Sequence, residues 1–131
     1  MIGLNIHIRL DSDDRRYLPG ESLTGRFSID GPEHDTVRAA EFSVLWYTTG
    51  KGEEDLAVHF FERFSHERIS QLDFRTPHPF EIHLPFSPQS YDGMIVKVCW
   101  CARLRLFLPR GQEVVSEEPF RLGEVQPTLM N

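Results

Sequence analysis

Hydrophobic and polar residues alternate along most of the chain, which is the period of a β-strand with one buried face. The first ten residues follow this pattern, and their apolar positions are Ile2, Leu4, Ile6, Ile8 and Leu10. A second apolar face follows the turn residues Pro19 and Gly20 and consists of Leu23, Gly25, Phe27 and Ile29. Each run predicts one half-buried strand.

Two further strands are predicted in the middle of the chain. Residues 37–48 are apolar on both faces, so this strand is expected to be central and covered in part on both sides. After the hairpin loop TGKGEED, the next strand carries a period-2 apolar face with Glu62 as an exception, formed by Leu56, Val58, Phe60 and Phe64. The segment SHERISQLDFRTPH has the weakest pattern and is interpreted as a loop with one short edge strand.

The second half of the chain has the clearest strand signal. Phe80, Ile82 and Leu84 alternate with polar residues before the turn PFSPQSYDG. In residues 94–108 the apolar even positions are Val96, Val98, Trp100, Ala102, Leu104, Leu106 and Leu108. We therefore expect Trp100 in the core. The segment EVVSEEPFRL returns as a final strand, in which Pro119 indicates an edge or a bulge.

Glycines at two of the turns are expected to adopt backbone conformations that a Cβ atom would penalise. They are Gly20 in Pro19-Gly20 and Gly93 in Asp92-Gly93, both at strand ends.

Together these segments predict about seven short strands separated by regular turn signals, and no segment has a helical period. This pattern predicts an all-β fold, a two-sheet antiparallel immunoglobulin-like β-sandwich, with a small barrel as the alternative. At 131 residues the chain fits one domain. We assign residues 1–122 to a single sandwich domain and residues 123–131 to a short C-terminal tail.

Charge and composition narrow the classes of function. Fourteen Lys and Arg against twenty Asp and Glu give a net charge of −6, which is not the footprint of a general nucleic-acid binder. No apolar run is long enough for a membrane span, and the N-terminus has no secretory signal pattern, so a soluble, cytoplasmic protein is expected.

Cys99 and Cys101 are the only cysteines. We expect two reduced thiols, because a disulfide between such strand neighbours needs distorted geometry.

Candidate chemistry is sparse. The histidines are scattered singly and have no metal-ligand spacing: His7, His34, His59, His66, His78 and His83. The acidic pairs Asp13-Asp14, Glu53-Glu54 and Glu117-Glu118 do not indicate a shared cleft, and no serine lies in a nucleophile elbow. Two sulfurs alone do not complete a tetrahedral metal site. We therefore expect no catalytic residues, no cofactor and no metal.

One strand carries a local positive stripe on this acidic protein. Lys97, Arg103 and Arg105 share the outward face of the predicted strand with Phe107 and the two cysteines. The functional interpretation is a partner-binding site, formed by Lys97, Arg103, Arg105 and Phe107, for an acidic or phosphorylated peptide. The alternative is that these cations pair across the sheet with Glu117 or Glu118 on the returning strand.

Two segments resemble sequence signatures of the arrestin-like family. YLPGESLTGRFSI is similar to the signature Y-x-PGE-x-(V/L)-x-G that opens the second strand of arrestin-like N-terminal domains. HPFEIHLPFSPQSYDGMIVKVCWCARLRL resembles the later signature, in which P-x-S-(F/Y)-x-G precedes a long alternating strand. Both occur in family order, and with the flanking strands the resemblance spans most of residues 1–122.

The resemblance implies an arrestin-type β-sandwich with a non-enzymatic role, since arrestins, the arrestin-like retromer subunit and bacterial sporulation-control relatives act as adaptors or scaffolds. The chain departs from most members by having one sandwich where they have two, so we interpret it as a single-domain relative. The expected function is binding of a protein partner through loops or a sheet edge. The alternative is a module that binds a small ligand or carbohydrate. Free sheet edges also make a homodimer possible.

Overall fold

The computed structural model describes residues 3–52 and 54–123. Three predictions fall in part outside these residues: Ile2 of the first strand, Glu53 of one acidic pair, and all of the tail beyond Gly123.

Nine strands and one short helix follow one another along the described chain. The strands are β1 (Asn5–Leu10), β2 (Arg16–Tyr17), β3 (Ser22–Asp30), β4 (Ala39–Gly50), β5 (Leu56–Ser65), β6 (His78–His83), β7 (Tyr91–Asp92), β8 (Val96–Phe107) and β9 (Glu113–Leu122). The helix is α1 (His66–Leu72), and His34–Thr36 and Pro109–Gly111 are single turns of 3₁₀ helix.

The strands form two sheets that face each other. The smaller sheet has three strands in the order β1-β3-β6, and the larger has the order β2-β9-β8-β4-β5, with β7 paired to β8. All pairs are antiparallel except the short pair of β2 with β9. The prediction of an all-β, two-sheet sandwich is confirmed.

Strand β4 is an interior strand of the larger sheet, next to its edge strand β5, and it is covered on both faces as its apolar pattern predicts. It pairs with β8 on one side and with β5 on the other. Phe42 and Val44 face the smaller sheet and are buried, and Leu45 on the opposite side is only 1% exposed. A strand covered on both faces needs apolar residues at consecutive positions, which this segment has.

An aromatic cluster fills the space between the sheets. Phe27 of β3 stacks on Phe42 of β4 with ring centroids 5.0 Å apart, and Phe64 and Phe74 pack edge-on against it at 6.2 and 5.2 Å. Offset and edge-to-face pairs at these distances are the favoured geometries of aromatic rings. At the other end of the core, the Trp100 Nε1–H donates a hydrogen bond to the Pro88 carbonyl, 2.7 Å away.

The interpretation of residues 65–78 as a loop with a short edge strand is wrong, because α1 occupies His66–Leu72. The Ser65 side chain accepts a hydrogen bond from the Arg68 N–H and caps the helix, and Asp73 ends it with a φ of 55°. Ile69 is its only buried residue. Two turns with one buried side chain produce no detectable helical period, and only the capping serine could have indicated the helix.

The prediction that Leu56, Val58, Phe60 and Phe64 share one face of their strand is also wrong. A bulge shifts the register of β5, so that Val44 lies opposite Phe60 but Leu45 lies opposite Val58. Phe60 and Phe64 face the core, whereas Leu56 and Val58 face the other way. An extra residue in a strand reverses the faces beyond it, and strict alternation cannot reveal it.

The two glycine predictions have different outcomes. Gly20 has a φ of +86°, the left-handed region that favours glycine, and a Cβ atom there would lie 3.1 Å from the ring of Phe86. Gly93 lies between β7 and β8 but does not have a positive φ, so that part of the prediction is wrong. A Cβ atom there would overlap the ring of Tyr91, whose exposed side chain would have to move.

Replacing Trp100 with alanine is expected to lower the free energy of unfolding by about 3 to 5 kcal/mol, because its fully buried ring would leave a cavity. Trp100→Phe keeps an aromatic ring but removes the donor to Pro88 and part of the buried volume, so its loss should be smaller than that of the alanine variant. Urea denaturation measures both values. A loss below about 1 kcal/mol for the alanine variant would show that the inner face of β8 has been misassigned.

Candidate functional site

The candidate surface is the outer face of the larger sheet, which we define as the side turned away from the smaller sheet. Inner residues of β8 such as Trp100 and Leu104 belong to the core, so the intervening residues of this strand face outward. All four predicted partner-binding residues lie here: Lys97, Arg103, Arg105 and Phe107. The structure thus brings them onto one face of one strand.

Each cation of this stripe lies beside a carboxylate. Arg103 Nη2 is 2.6 Å from Glu117 Oε2, and its Nε donates to the same oxygen at 2.7 Å. Arg105 Nη1 lies 3.7 Å from Glu113 Oε1, and Lys97 Nζ lies 3.3 Å from Asp92 Oδ1. Arg103 and Glu117 are direct neighbours in the register of β8 and β9. Arg103 therefore pairs across the sheet with Glu117, as the alternative interpretation of the sequence predicted.

The four residues do not form one compact patch. Ten residues separate Lys97 from Phe107, which is about 33 Å along an extended strand. Phe107 is half-buried, and the Arg63 guanidinium carbon lies over its ring, 5.3 Å from the centroid. The assignment of these residues to a binding site stays a prediction.

The middle of the stripe is covered although it faces outward. Cys101 lies between Leu45 of β4 and Pro119 of β9 in the sheet register and is only 2% exposed. Burial is the main cause that raises the pKa of this thiol to about 12, with a smaller contribution from the negative charge of Glu117. Cys99 and Cys101 are both free, as the sequence predicts.

An apolar row runs along the outer face of β5, and we define it as Leu56, Val58 and Phe61. These side chains are 55%, 49% and 52% exposed. Strand β5 is also the edge of the larger sheet: among the described residues it pairs only with β4, and the backbone of residues 56–63 makes no hydrogen bond to any other described segment. Unpaired backbone and exposed apolar side chains therefore coincide on one strand.

A groove of about 430 Å³ opens at the N-terminal end of the apolar row. We call it the Tyr47 groove, and its walls include Tyr47, Glu54, Asp55, Leu56, Arg103 and Glu117. Burial raises the pKa of Tyr47, and electrostatic interactions with Cys99, Cys101 and Glu117 raise it further. The environment of this ring is thus unfavourable to an additional negative charge.

A second concavity lies where β7 and β9 separate along the same edge of β8. Strand β7 pairs with β8 up to Val98 and β9 pairs from Trp100, so a cleft of about 390 Å³ opens between them. Tyr47 and Tyr91 line it together with Asp14, Lys97 and Arg121. This is the place where a small-ligand or carbohydrate function would lie. Trp100 is buried in the core, so its ring face is not available to such a ligand.

Two other features of the described residues bear on function. No three or more His, Cys, Asp or Glu side chains come close enough together to hold a metal ion in residues 3–52 and 54–123. No helix in the same residues is long and apolar enough to cross a membrane.

Sequence reasoning did not find the apolar row. The alternating pattern assigned Leu56 and Val58 to the core together with Phe60, and Phe61 to the polar side. The one available signal was the pair of consecutive phenylalanines, Phe60 and Phe61, since adjacent residues of a strand face opposite sides and one of the two rings must point away from the core.

Comparison with known proteins supports the fold. No family model matches the chain, and no curated protein is similar to it in sequence. Among solved structures it is similar to Spo0M, a sporulation control protein from Bacillus subtilis, with a TM-score of 0.62 and 13% sequence identity. The similarity covers 95% of this chain and 51% of that chain, so this chain spans about half the length of its neighbour. The fold is an all-β sandwich of the arrestin type.

The two cysteines are expected to differ in reactivity. In the folded protein at pH 8, iodoacetamide should modify Cys99 and leave Cys101 unmodified, because a buried thiol with a pKa of about 12 contains almost no thiolate. Mass spectrometry of the intact protein and its peptides measures the two rates, with the urea-unfolded protein as the control in which both react. Equal rates in the folded protein would contradict the buried position of Cys101.

The ion pair between Arg103 and Glu117 is expected to contribute less than about 1 kcal/mol, because both side chains are partly exposed to water. A double-mutant cycle of Arg103→Ala and Glu117→Ala, measured by urea denaturation, isolates the pairwise free energy. The longer pair of Arg105 with Glu113 is the internal comparison and should give a smaller value. A coupling above about 2 kcal/mol would mean that this part of the outer face is drier than its exposure indicates.

Proposed function

We propose that the protein is a non-enzymatic interaction module, an adaptor or scaffold, that binds an extended segment of a protein partner along β5. The observation that carries the proposal is the coincidence of the free edge of β5 with the apolar row. In strand addition, backbone hydrogen bonds supply affinity and alternate side chains supply specificity. The ten-residue β5 offers both.

Other sheet edges are less suited to a partner strand. Strand β9 is an edge only where β2 does not pair with it, and this part carries Pro119, which cannot donate to a ladder, and Glu118, which is held by an ion pair with Arg15 at 2.7 Å. The six-residue edge strand β6 carries Pro79. Strand β1 has six residues, and the polar side chains Asn5, His7 and Arg9 occupy its exposed face. Charges and prolines are the usual protection of exposed edges, and the N-terminal half of β5 has neither.

The apolar row can contribute a useful but modest part of the binding free energy. Full burial of a large apolar side chain is worth about 1.5 to 3 kcal/mol, so covering the exposed halves of three contributes about 3 kcal/mol. Ordering an extended segment opposes this contribution. A reversible contact suits an adaptor that exchanges partners.

Several properties support a role without catalysis. The buried Cys101 has the wrong protonation state for a nucleophile, and the described serines lie outside any nucleophile elbow. The net charge of −6 disfavours nucleic acid as the partner. The free cysteines fit a reducing compartment, so a cytoplasmic location is part of the proposal.

The test uses a matched pair of substitutions on the outer face. Val58 of β5 and Val115 of β9 are 49% and 45% exposed. The tagged protein, purified from its native host, should retain a partner that the Val58→Lys variant loses and the Val115→Lys variant keeps, because only the first places a charge on the apolar row. Mass spectrometry identifies and quantifies what co-purifies. The proposal fails if the two variants retain the same proteins in the same amounts.

A further inference from the structure

The charge of the Tyr47 groove identifies the kind of side chain that fits it. Glu54 and Asp55 lie on its wall, both are exposed, and neither forms an ion pair with any described residue. The only cation of the wall, Arg103, is already bonded to Glu117. The groove therefore has two uncompensated carboxylates.

The floor of the groove suits the same kind of side chain. The ring of Tyr47 is half-buried and neutral at physiological pH, as any phenol with an ordinary pKa would be, and burial raises its pKa further. The face of a neutral aromatic ring attracts a cation, and the aliphatic stem of Lys or Arg can pack on an apolar neighbour such as Leu56. Tyr47 and Leu56 are direct neighbours in the register of β4 and β5, so both contacts are available at one position.

The groove and the apolar row are continuous, because Leu56 belongs to both. From Leu56 to Phe61 the row extends about 16 Å along β5. A partner strand that pairs antiparallel with β5 would place alternate side chains over Phe61, Val58 and Leu56 in turn. The next outward position of that strand would lie opposite Glu54 and close to Asp55, at the mouth of the groove.

We infer that the partner segment is an extended strand with alternating apolar residues followed by Lys or Arg, and that the cation enters the Tyr47 groove. This inference rests on the proposed function of the same surface and specifies the partner's chemistry. The net charge of −6 favours the approach of a basic segment over an acidic one.

A second copy of the chain fits this surface less well. The only Lys or Arg of β5 that such a copy could place in the groove is Arg63, and its guanidinium is already paired with Glu41.

The experiment compares two capped ten-residue peptides with the full chain. One has valine at three alternate positions followed by lysine, with threonine between them, and the other has glutamate in place of lysine. Fluorescence anisotropy at low ionic strength should show the lysine peptide binding about tenfold more tightly, since a cation near two carboxylates replaces an anion. Raising the salt concentration to about 0.5 M should reduce the difference, because exposed charges are screened.

Two double variants show where the preference originates. Glu54→Gln with Asp55→Asn should bring the two peptides to within about twofold of each other. Asp13→Asn with Glu81→Gln removes the same charge from exposed positions elsewhere and should preserve the preference. Val58→Lys should weaken both peptides, because it places a charge on the apolar row.

Each remaining outcome has a defined meaning. Equal binding of both peptides that is lost in Val58→Lys would overturn the cation site and leave strand addition intact. The inference would be overturned if the glutamate peptide bound more tightly, or if neither peptide bound at millimolar concentration. The co-purification experiment would then test the proposed function separately. A dimer in light scattering that Val58→Lys dissociates would also overturn it, because a second copy would then cover the row.

Discussion

The stack of Phe27 on Phe42 is the contact on which the arrangement of the two sheets depends. It joins β3, the middle strand of the smaller sheet, to β4, an interior strand of the larger one, with ring centroids 5.0 Å apart. Phe64 of β5 packs against the same ring of Phe27. This contact fixes which side of β5 faces the core, and therefore which side remains for a partner.

The bulge in β5 determines which apolar side chains lie on the side that remains for a partner. Without it, the strand would continue to alternate and would place Leu56 and Val58 in the core on the same side as Phe60. With the bulge, the core keeps Phe60 and Phe64, and the outer face receives Phe61 in line with the two aliphatic residues. Bulges are commonly found where a strand must direct a side chain to a particular place. Here a local irregularity produces a half-exposed apolar row on a free edge.

The sequence predicted the features that depend on local periodicity. The sandwich, the core position of Trp100, the interior position of β4 and the left-handed Gly20 all follow from alternation or turn chemistry. The helix α1 and the bulge did not follow, since each involves too few residues to change the period. The ion pairs of Arg103 and Arg105 depend on the register between β8 and β9, and that of Lys97 depends on the pairing of β7 with β8. The pattern of one strand cannot reveal these registers, although the acidic residues of β9 indicated Glu117 as a partner for Arg103.

The central claim is that the free edge of β5 accepts a strand from a partner. Hydrogen–deuterium exchange resolved to single amides, with and without the valine–lysine peptide, tests this claim most directly because it reports on the backbone itself. The account predicts that alternate amides of β5, those that point away from β4, become protected while amides along β9 and β1 exchange as before. Protection along β9 or β1 instead, or uniform exchange in β5 under saturating peptide, would contradict it.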